Sequence, residues 1–256
     1  MKNLILFYLM VIGFLPAKAQ QITNSGFENW WDEFGTYEDL MDWSTLNYLN
    51  AFGYDLGSKK ITGKKDYAVE LISVGSNLAG FPVPGIIATG ELPQNSGPEI
   101  ESMLIPFNYR PVYLNFWFQS LPKTGDSCGI ILVLTKYNVN TGEREFIAEA
   151  GFATGDSIGE WTEKNIRFNY FSQEVPDSAY LIASSSINST NVFIGSIFRL
   201  DEINLVYTEL SNNQKINSDE IIVYPNPTSS LINLDSEIKI DKIEIIGIDG
   251  KNYQLN

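Results

Sequence analysis

Aromatic side chains are the residues of this sequence best suited to contact a ligand. The chain of 256 residues contains 5 Trp and 13 Tyr. Aromatic rings stack on the apolar faces of sugar rings, while neighbouring amides and carboxylates hydrogen-bond to the hydroxyls. The residues that we predict to form such a surface are Trp31, Tyr54, Tyr113, Asn115 and Trp117. The alternative for each is burial, because aromatic residues fill most β-sandwich cores, and we expect Trp43 and Trp161 to be core residues.

Side chains for catalysis are sparse. Histidine is absent, which excludes Ser-His-Asp and Cys-His nucleophiles and zinc sites built on histidine. A glycosidase needs only two carboxylates, and Glu143, Glu145 and Glu149 fall at alternating positions of one β-rich run. The nearby Lys136 and Arg144 indicate a solvated charged face instead.

A lyase with a tyrosine base and a cationic partner is a further alternative. Its components would be Tyr109, Arg110 and Tyr170, but their spacing does not support this chemistry. Gly-rich phosphate loops are also absent from the sequence. The residues therefore favour a binding protein over an enzyme.

β-Strands must position these residues, because helix patterns are few. Runs rich in β-branched and aromatic residues alternate with turn clusters such as 123–126 and 140–143. Residues 31–48 lack a helical period and are predicted to form loops with a single helical turn. Eight strands without intervening helices predict an all-β sandwich. The predicted strands are 67–74, 100–107, 111–119, 129–137, 145–150, 162–170, 178–185 and 196–207.

The clearest strand pattern lies between residues 113 and 119. One face carries Leu114, Phe116 and Phe118, and the other carries Tyr113, Asn115, Trp117 and Gln119. Because side chains alternate between the two faces of a strand, the purely apolar face is predicted to join the core. The mixed face is predicted to be half exposed.

The first 19 residues have the three parts of a secretory signal. Lys2 provides the positive start, residues 4–15 form an apolar run, and Ala17-Lys18-Ala19 is a cleavage site. A membrane anchor is the alternative, but the run is shorter than the roughly 20 apolar residues that a spanning helix needs. We therefore expect export to the cell surface or the medium, with no transmembrane anchor. Cys128 is the only cysteine, so no internal disulfide can form.

The chain is strongly acidic, with a formal net charge of −14. Removal of residues 1–19 takes away Lys2 and Lys18 but no acid, which leaves −16. Such a chain repels phosphate backbones, so nucleic acid is not an expected partner. The acids also suit calcium binding, although plain solubility explains most of them.

The composition changes after residue 207. Residues 208–220 are polar and are predicted to be a linker, and 221–256 are predicted to form a small C-terminal β module. Its motifs are Val223-Tyr-Pro-Asn-Pro-Thr228, an apolar strand, and Ile246-Gly-Ile-Asp-Gly-Lys251. They resemble the C-terminal sorting domain of the type IX secretion system, in a partial form that stops at Asn256. The resemblance implies the type IX secretion machinery as a partner.

The body of the chain, residues 20–207, resembles a family of secreted jelly-roll domains assigned to carbohydrate metabolism. The resemblance begins at Asn24-Ser-Gly-Phe-Glu-Asn-Trp30, includes Asp42-Trp-Ser-Thr-Leu-Asn47 and Ile105-Pro-Phe-Asn-Tyr-Arg-Pro111, and ends at Gly195–Leu205. These domains are similar to galactose-binding-like carbohydrate modules. The resemblance implies a jelly-roll β-sandwich and a fold-level expectation only.

In related sugar-binding jelly rolls a structural calcium ion lies between the opening Glu and an Asp of the last strand. The matching positions are Glu28 and Asp201. Calcium requires six to eight oxygen ligands, so carbonyls and water would supply the rest. The alternative is that both carboxylates accept backbone N–H groups near the paired chain ends.

The leading hypothesis is a secreted or cell-surface protein that binds a glycan or polysaccharide without catalysis. A glycan-active hydrolase or lyase is the second hypothesis. A surface adhesin with a protein ligand is the third. A pair of carboxylates in a groove would favour the enzyme, an aromatic platform the glycan-binding protein, and an apolar patch the adhesin.

Overall fold

The computed structural model describes residues 19–33, 35–76, 80–92, 100–187 and 191–208, together with the backbone of four short strands after residue 220. The chain divides into two compact units, Met1–Glu209 and Leu210–Asn256. Residues 1–18 of the predicted signal peptide and residues 209–220 of the predicted linker lie outside the described residues. No helix among the described residues is long and apolar enough to cross a membrane.

The first unit is built almost entirely from strands. Its only helices among the described residues are a 3₁₀ helix at Asn47–Phe52 and one α-helical turn at Ile100–Met103. The strands are β1 (Trp30–Glu33), β2 (Tyr37–Leu40), β3 (Ser44–Thr45), β4 (Ser58–Thr62), β5 (Tyr67–Ile72), β6 (Ile86–Ala88), β7 (Ile105–Pro106), β8 (Tyr113–Leu121), β9 (Cys128–Asn138), β10 (Glu143–Thr154), β11 (Ile158–Arg167), β12 (Asn169–Tyr170), β13 (Ser178–Ser184) and β14 (Ile197–Val206).

Two antiparallel sheets form the sandwich. One has seven strands in the order β12-β10-β9-β13-β6-β3, with β7 paired to β13, and the other has five in the order β11-β8-β14-β5-β4. Strands β1 and β2 form a separate hairpin. The chain is thus an all-β protein with the jelly-roll sandwich fold that the sequence predicts.

The core lies between the inner faces of the two sheets. Leu114, Phe116 and Phe118 of β8 are buried, while the alternate residues of β8 are half exposed, as the sequence predicts. Phe118 contacts Phe152 from the opposite sheet with ring centroids 4.9 Å apart, and Phe198 from its own sheet at 6.1 Å. Burial of this apolar surface is the main force that holds the sheets together.

The strand predicted at 100–107 is wrong. The segment forms the turn of helix Ile100–Met103, followed by the two-residue strand β7. Met103 and Phe107 are both buried, and their spacing of four suits a helix as well as an alternating strand. Thr89 Oγ1 donates to the Met103 carbonyl at 3.0 Å, which fixes the helical turn against the sheet.

The prediction of loops over residues 31–48 is also wrong in part. Strands β1 and β2 pair there, and Gly35 at φ 73° allows the tight turn between them. Asp32 Oδ1 accepts the Gly35 N–H at 2.7 Å. The hairpin was missed because half of its strand residues are charged and only Leu40 is buried, so they lack the apolar alternation that identifies a strand.

The second unit is a small β module. Strand β15 (Ile221–Tyr224) pairs with β16 (Asn233–Ser236), and β17 (Ile245–Ile246) pairs with β18 (Asn252–Tyr253), both antiparallel. This agrees with the small C-terminal module of the predicted fold class. The Pro-Asn-Pro-Thr part of the first tail motif lies outside the described residues.

Candidate functional site

The seven-stranded sheet borders two depressions, a groove and a cleft. Five directly paired residues form a row across the outer face of this sheet: Gly151, Ile131, Ile182, Ala88 and Ser44. The first three line an apolar groove, and Ser44 lines a polar cleft. Since neighbouring strands lie about 4.8 Å apart, Ile182 and Ser44 are separated by roughly 10 Å. The groove thus lies on the outer face, whereas the cleft lies at the β3 edge of the sheet, where its lining also includes the core residues Ile22, Leu40 and Trp43.

The cleft, of about 480 Å³, has an exposed tryptophan in its wall. The Trp31 side chain on β1 is 45% exposed. Asp42, Ser44 and Glu91 line the same cleft, and the aromatic ring of Trp43 lies buried at its base. An exposed aromatic ring beside acceptor groups can stack on a sugar and bind its hydroxyls. We name these residues, with the rest of the lining, the Trp31 cleft; its other members are Ile22, Thr23, Leu40, Thr89, Gly90 and Ile105.

Hydrogen bonds from the Asn24 side chain to the backbone fix one wall of the Trp31 cleft. The Asn24 amide Nδ2 donates to the carbonyls of Asn29 at 2.9 Å and Met41 at 2.8 Å. This clamp ties the start of β1 to the residue before Asp42. Asp42 itself has a positive φ of 65°, a conformation that Asp tolerates better than most residues do. Its carboxylate is exposed at the rim of the cleft.

The opposite wall is fixed by the segment that follows β6. The Glu91 N–H donates to the Ser102 carbonyl at 2.7 Å, and the Ser102 hydroxyl donates to the Glu91 carbonyl at 2.8 Å. Gly90 has φ 61°, and a Cβ at this position would lie 2.5 Å from the Ser102 carbonyl oxygen. Glycine is therefore required for this wall to approach the helical turn so closely.

The two carboxylates of the Trp31 cleft are its free acceptors. Ser44 Oγ donates to the Gly90 carbonyl at 2.5 Å, and Trp43 Nε1 donates to the Asn24 carbonyl at 3.2 Å. Within the part of the chain that the structure describes, the Asp42 and Glu91 carboxylates make no hydrogen bond or ion pair. They remain available for a ligand.

The groove at the other end of the row is apolar. It has a volume of about 420 Å³, and Ile131, Ile182 and Ile187 form its walls beside Gly129, Gly151 and Ala153. The small residues leave the space open. The Ser184 hydroxyl donates a hydrogen bond to the Ser186 carbonyl at 2.7 Å, so the groove offers few hydrogen-bond partners for sugar hydroxyls. Such a lining suits an apolar ligand better than a sugar.

Three predicted ligand residues lie on the outer face of the other sheet. Tyr113, Asn115 and Trp117 are half exposed there on β8. Lys64 Nζ lies 4.3 Å from the Trp117 ring centroid and covers one ring face. Asn115 Nδ2 donates to Glu163 at 2.8 Å and to Asn165 at 2.7 Å. Their groups are thus engaged within the protein, unlike those of the Trp31 cleft.

Tyr54 is buried, contrary to the prediction that it forms a ligand surface. Its side chain is 3% exposed, and its hydroxyl donates to the Phe81 carbonyl at 2.9 Å. The ring also contacts the Phe81 ring. Trp43 lies in the core as predicted, whereas Trp161 on β11 is only half buried and stays outside the core cluster. The five predicted residues therefore fall in three separate places.

Glu28 and Asp201 both bind the turn that joins β4 and β5. Asp201 accepts the backbone N–H groups of Lys64 at 2.6 Å and Glu202 at 2.7 Å. Glu28 accepts the Tyr67 N–H at 3.1 Å. Burial raises the pKa of Asp201, while the backbone N–H groups oppose that shift. The carboxylates thus hydrogen-bond to backbone amides, as the alternative to calcium predicts. The amides belong to the β4–β5 turn and its end, however, and not to the paired chain ends.

Calcium at this position remains a prediction. Among the described residues, no three His, Cys, Asp or Glu side chains are placed to hold a metal ion together. An ion between Glu28 and Asp201 would have to replace their N–H donors and recruit carbonyl or water oxygens.

The catalytic alternatives from the sequence do not assemble. A β-bulge between Phe146 and Ala148 shifts the register, so that Glu145 pairs with Lys136 but Glu149 pairs with Val133. Because Lys136 and Val133 are three residues apart on β9, they point to opposite faces of the sheet. Glu149 consequently lies on the face opposite to Glu145. The predicted row of three carboxylates is wrong for this reason.

The Tyr–Arg group is structural. The Tyr170 hydroxyl donates to the Pro111 carbonyl at 2.8 Å, and the Arg110 guanidinium lies 4.0 Å from the Tyr170 ring centroid. Arg110 also donates to the Ser172 carbonyl at 3.0 Å. Burial raises the pKa of Tyr170 to about 12, which makes it a poor base at neutral pH.

Sequence reasoning proposed Trp31 as a ligand residue but did not propose Asp42 and Glu91, which line the same cleft. Both are charged residues in turn-like segments, where a solvated side chain is the usual interpretation. The apolar groove was missed as well. Its only signal is the run of small residues in β10, where Gly151 and Ala153 alternate opposite Ile131 and Gly129.

Comparison with solved structures supports the fold assignment. No protein-family model and no curated protein matches the sequence. A candidate glycoside hydrolase from Bacteroides thetaiotaomicron superposes with a TM-score of 0.60 at 16% identity, over 73% of this chain and 71% of that chain. A second one, from Bacteroides vulgatus, gives a TM-score of 0.57 at 16% identity, over 72% and 97% of the two chains. At this identity the likeness establishes a shared fold and leaves the function open.

Proposed function

We propose that this protein is exported and binds glycan without catalysis through the Trp31 cleft. The observation that carries the proposal is the exposed Trp31 ring in one cleft with the Asp42 and Glu91 carboxylates, which have no partner among the described residues. The ring supplies a stacking platform, and the carboxylates accept hydrogen bonds from sugar hydroxyls.

The site is preorganised for this task. The hairpin of β1 and β2 carries Trp31, the Asn24 clamp fixes the segment before Asp42, and the Ser102 bonds fix Glu91. A ligand that binds a preformed cleft loses little affinity to ordering of the protein. Tyr113, Asn115 and Trp117 are a weaker candidate surface, since Lys64, Glu163 and Asn165 already engage them.

Export is proposed from the sequence. The basic, apolar and small-residue parts of 1–19 support a signal peptide, and the tail motifs support recognition by the type IX secretion machinery. The product would then be secreted or held at the outer cell surface. A calcium ion between Glu28 and Asp201 is kept as part of this proposal, in a structural role only.

The proposal is tested with the purified mature chain, residues 20–256, on a glycan array with calcium and then with a chelator. We expect the wild-type protein to bind at least one array glycan reproducibly, and we expect Trp31→Ala to lose most of that binding signal. Trp117→Ala is the matched control, because it removes the same side chain from the other sheet. Unfolding temperatures of both variants show that each is folded. A loss of binding confined to Trp117→Ala would place the site on β8 instead of in the Trp31 cleft and would contradict the proposal. A blank array with folded protein would contradict glycan binding as a whole.

A glycoside hydrolase is the second candidate, favoured by the two carboxylates in one cleft. Two carboxyl groups that flank a glycosidic bond are the minimal requirement for hydrolysis. One of them must stay protonated to act as the acid, which an apolar or like-charged environment provides. Asp42 and Glu91 are both exposed to solvent instead. Release of reducing ends from the bound glycan, abolished by Glu91→Gln, would establish the enzyme and refute non-catalytic binding.

A further inference from the structure

The described lining of the Trp31 cleft carries negative charge and no cation. Asp42 and Glu91 are the charged residues in this lining, which contains neither Lys nor Arg. We infer that the cleft selects glycans that lack acidic groups, and that it binds amino sugars with a protonated amine most tightly. This inference rests on the proposed glycan binding at the same cleft.

The basic side chains with assigned ion pairs lie outside the cleft. Arg199 pairs with Glu70 at 2.6 Å and Lys136 with Glu174 at 2.6 Å. Arg144 bridges Glu101 and Asp177 at 2.9 Å and 3.0 Å. None of these cations lines the cleft. A uronate or sulfated glycan would therefore approach two carboxylates without a counter-charge.

A protonated amine on the glycan is attracted by the same two carboxylates that repel an anionic group. The two carboxylates are free acceptors, and a charge-assisted hydrogen bond to a carboxylate is about twice as strong as a neutral one. The net charge of −16 for residues 20–256 attracts a cationic glycan at longer range and repels an anionic one. Neutral sugars retain the stacking on Trp31 and ordinary hydroxyl bonds, so they take the middle position.

The test compares three oligosaccharides of equal length by calorimetry with the mature chain. They are a fully deacetylated glucosamine oligomer, its N-acetylated form and a galacturonate oligomer, at mildly acidic pH where the amines are protonated. We expect affinity to fall in that order. Asp42→Asn and Glu91→Gln should each reduce the ratio of amino-sugar to uronate affinity by about twofold to fivefold, as expected for partly solvated charge pairs.

A matched control separates the cleft from the overall charge. The double variant Asp156→Asn/Glu160→Gln removes two exposed carboxylates at the β10–β11 turn and on β11, so it has the same net charge as Asp42→Asn/Glu91→Gln. We expect the control to keep the wild-type affinity ratio. An equal change in both double variants would overturn the inference, because the selectivity would then come from net charge.

The outcomes also separate this inference from the proposed function. Galacturonate binding at the cleft as tight as that of the N-acetylated oligomer would refute the charge selectivity but leave glycan binding intact. If none of the three oligosaccharides and no array glycan binds the folded chain, the proposed function fails and the inference fails with it.

Discussion

The Asp201 carboxylate accepts the backbone N–H of Lys64 at 2.6 Å, across 137 residues of sequence. Asp201 lies in the last strand of the sandwich and has no exposed surface. Lys64 lies in the turn between β4 and β5, and Glu28 accepts the N–H of Tyr67 at the far end of that turn. One carboxylate near the start of the described part of the first unit and one near its end therefore anchor a single turn.

Asp201→Ala is expected to destabilise the sandwich. It leaves the N–H groups of Lys64 and Glu202 without their carboxylate acceptor, which should lower the free energy of unfolding by about 2–4 kcal/mol. Urea denaturation measures this change. Asp66→Ala in the same turn is the control, since that side chain is exposed and should change stability by less than about 0.5 kcal/mol. An Asp201→Ala variant as stable as the control would show that an ion or water satisfies the turn instead.

Gly90→Ala is expected to distort the Trp31 cleft. The new Cβ would collide with the Ser102 carbonyl oxygen at 2.5 Å, in addition to the strain of φ 61°. We expect a loss of at least about 2 kcal/mol in unfolding free energy and weaker glycan binding. Gly35→Ala is the matched control, because Gly35 has φ 73° but no atom within 4 Å of its added Cβ. Equal losses in both variants would mean that only the positive φ matters.

Asp39 is expected to make stability fall as the pH rises. Burial raises the pKa of Asp39 above its ordinary value of 3.8, although Thr45 and Asn47 donate hydrogen bonds to it. The folded state therefore binds more protons than the unfolded state between these two pKa values. Its contribution is complete below pH 3.8 and is lost as the pH rises through the folded pKa.

The measurement is the difference in unfolding free energy between wild type and Asp39→Asn as a function of pH. Wild type should lose stability relative to the variant with rising pH in this window. The pKa values of Glu101 and Asp177 are lowered, so their effect on stability runs in the opposite direction with pH. Both residues are present in both proteins, so their effects cancel in the difference. If wild type instead gained stability relative to Asp39→Asn as the pH rises, the assigned direction of the pKa shift would be contradicted.

Cys128 is expected to be inert in the folded protein. Its side chain is fully buried, and burial raises the pKa of the thiol to about 12, so almost no thiolate exists at neutral pH. A chromogenic disulfide reagent should react at least about a hundredfold more slowly with native than with urea-unfolded protein. Fast modification of the native chain would indicate that the strand β9 opens readily.

Much of the fold follows from the sequence. The alternation of β8 fixes which side chains face the core, because a strand buries every second residue. Trp43 and the long strands β9, β13 and β14 were predicted close to their observed positions. Short strands such as β3 and the charged hairpin of β1 and β2 were missed. Strand β3 pairs with β6, which lies far along the chain, and the hairpin lacks apolar alternation, so neither leaves a clear local signal.

The candidate site divides in the same way. Trp31 was predicted to be a ligand residue from its type and is exposed, but Tyr54 was predicted on the same ground and is buried. Residue type alone gives aromatic side chains an equal claim to the core and to the surface. Spacing alone is also insufficient, because a single bulge in β10 moves Glu149 to the face of the sheet opposite to Glu145.

By itself, the sequence determined an acidic, histidine-free, all-β chain with a signal-like start and a separate tail module, because composition and alternation act locally. Only the tertiary structure brought Asp42 and Glu91 into one cleft with Trp31. Trp31 and Asp42 lie at the two ends of the β1–β2 hairpin, whereas Glu91 comes from the segment after β6, so their meeting depends on the pairing of β1 with β2 and on the packing of Gly90 against Ser102. The position of Glu91 is set by the whole sandwich, since β6 before it pairs with β3 and β13, which come from distant parts of the sequence.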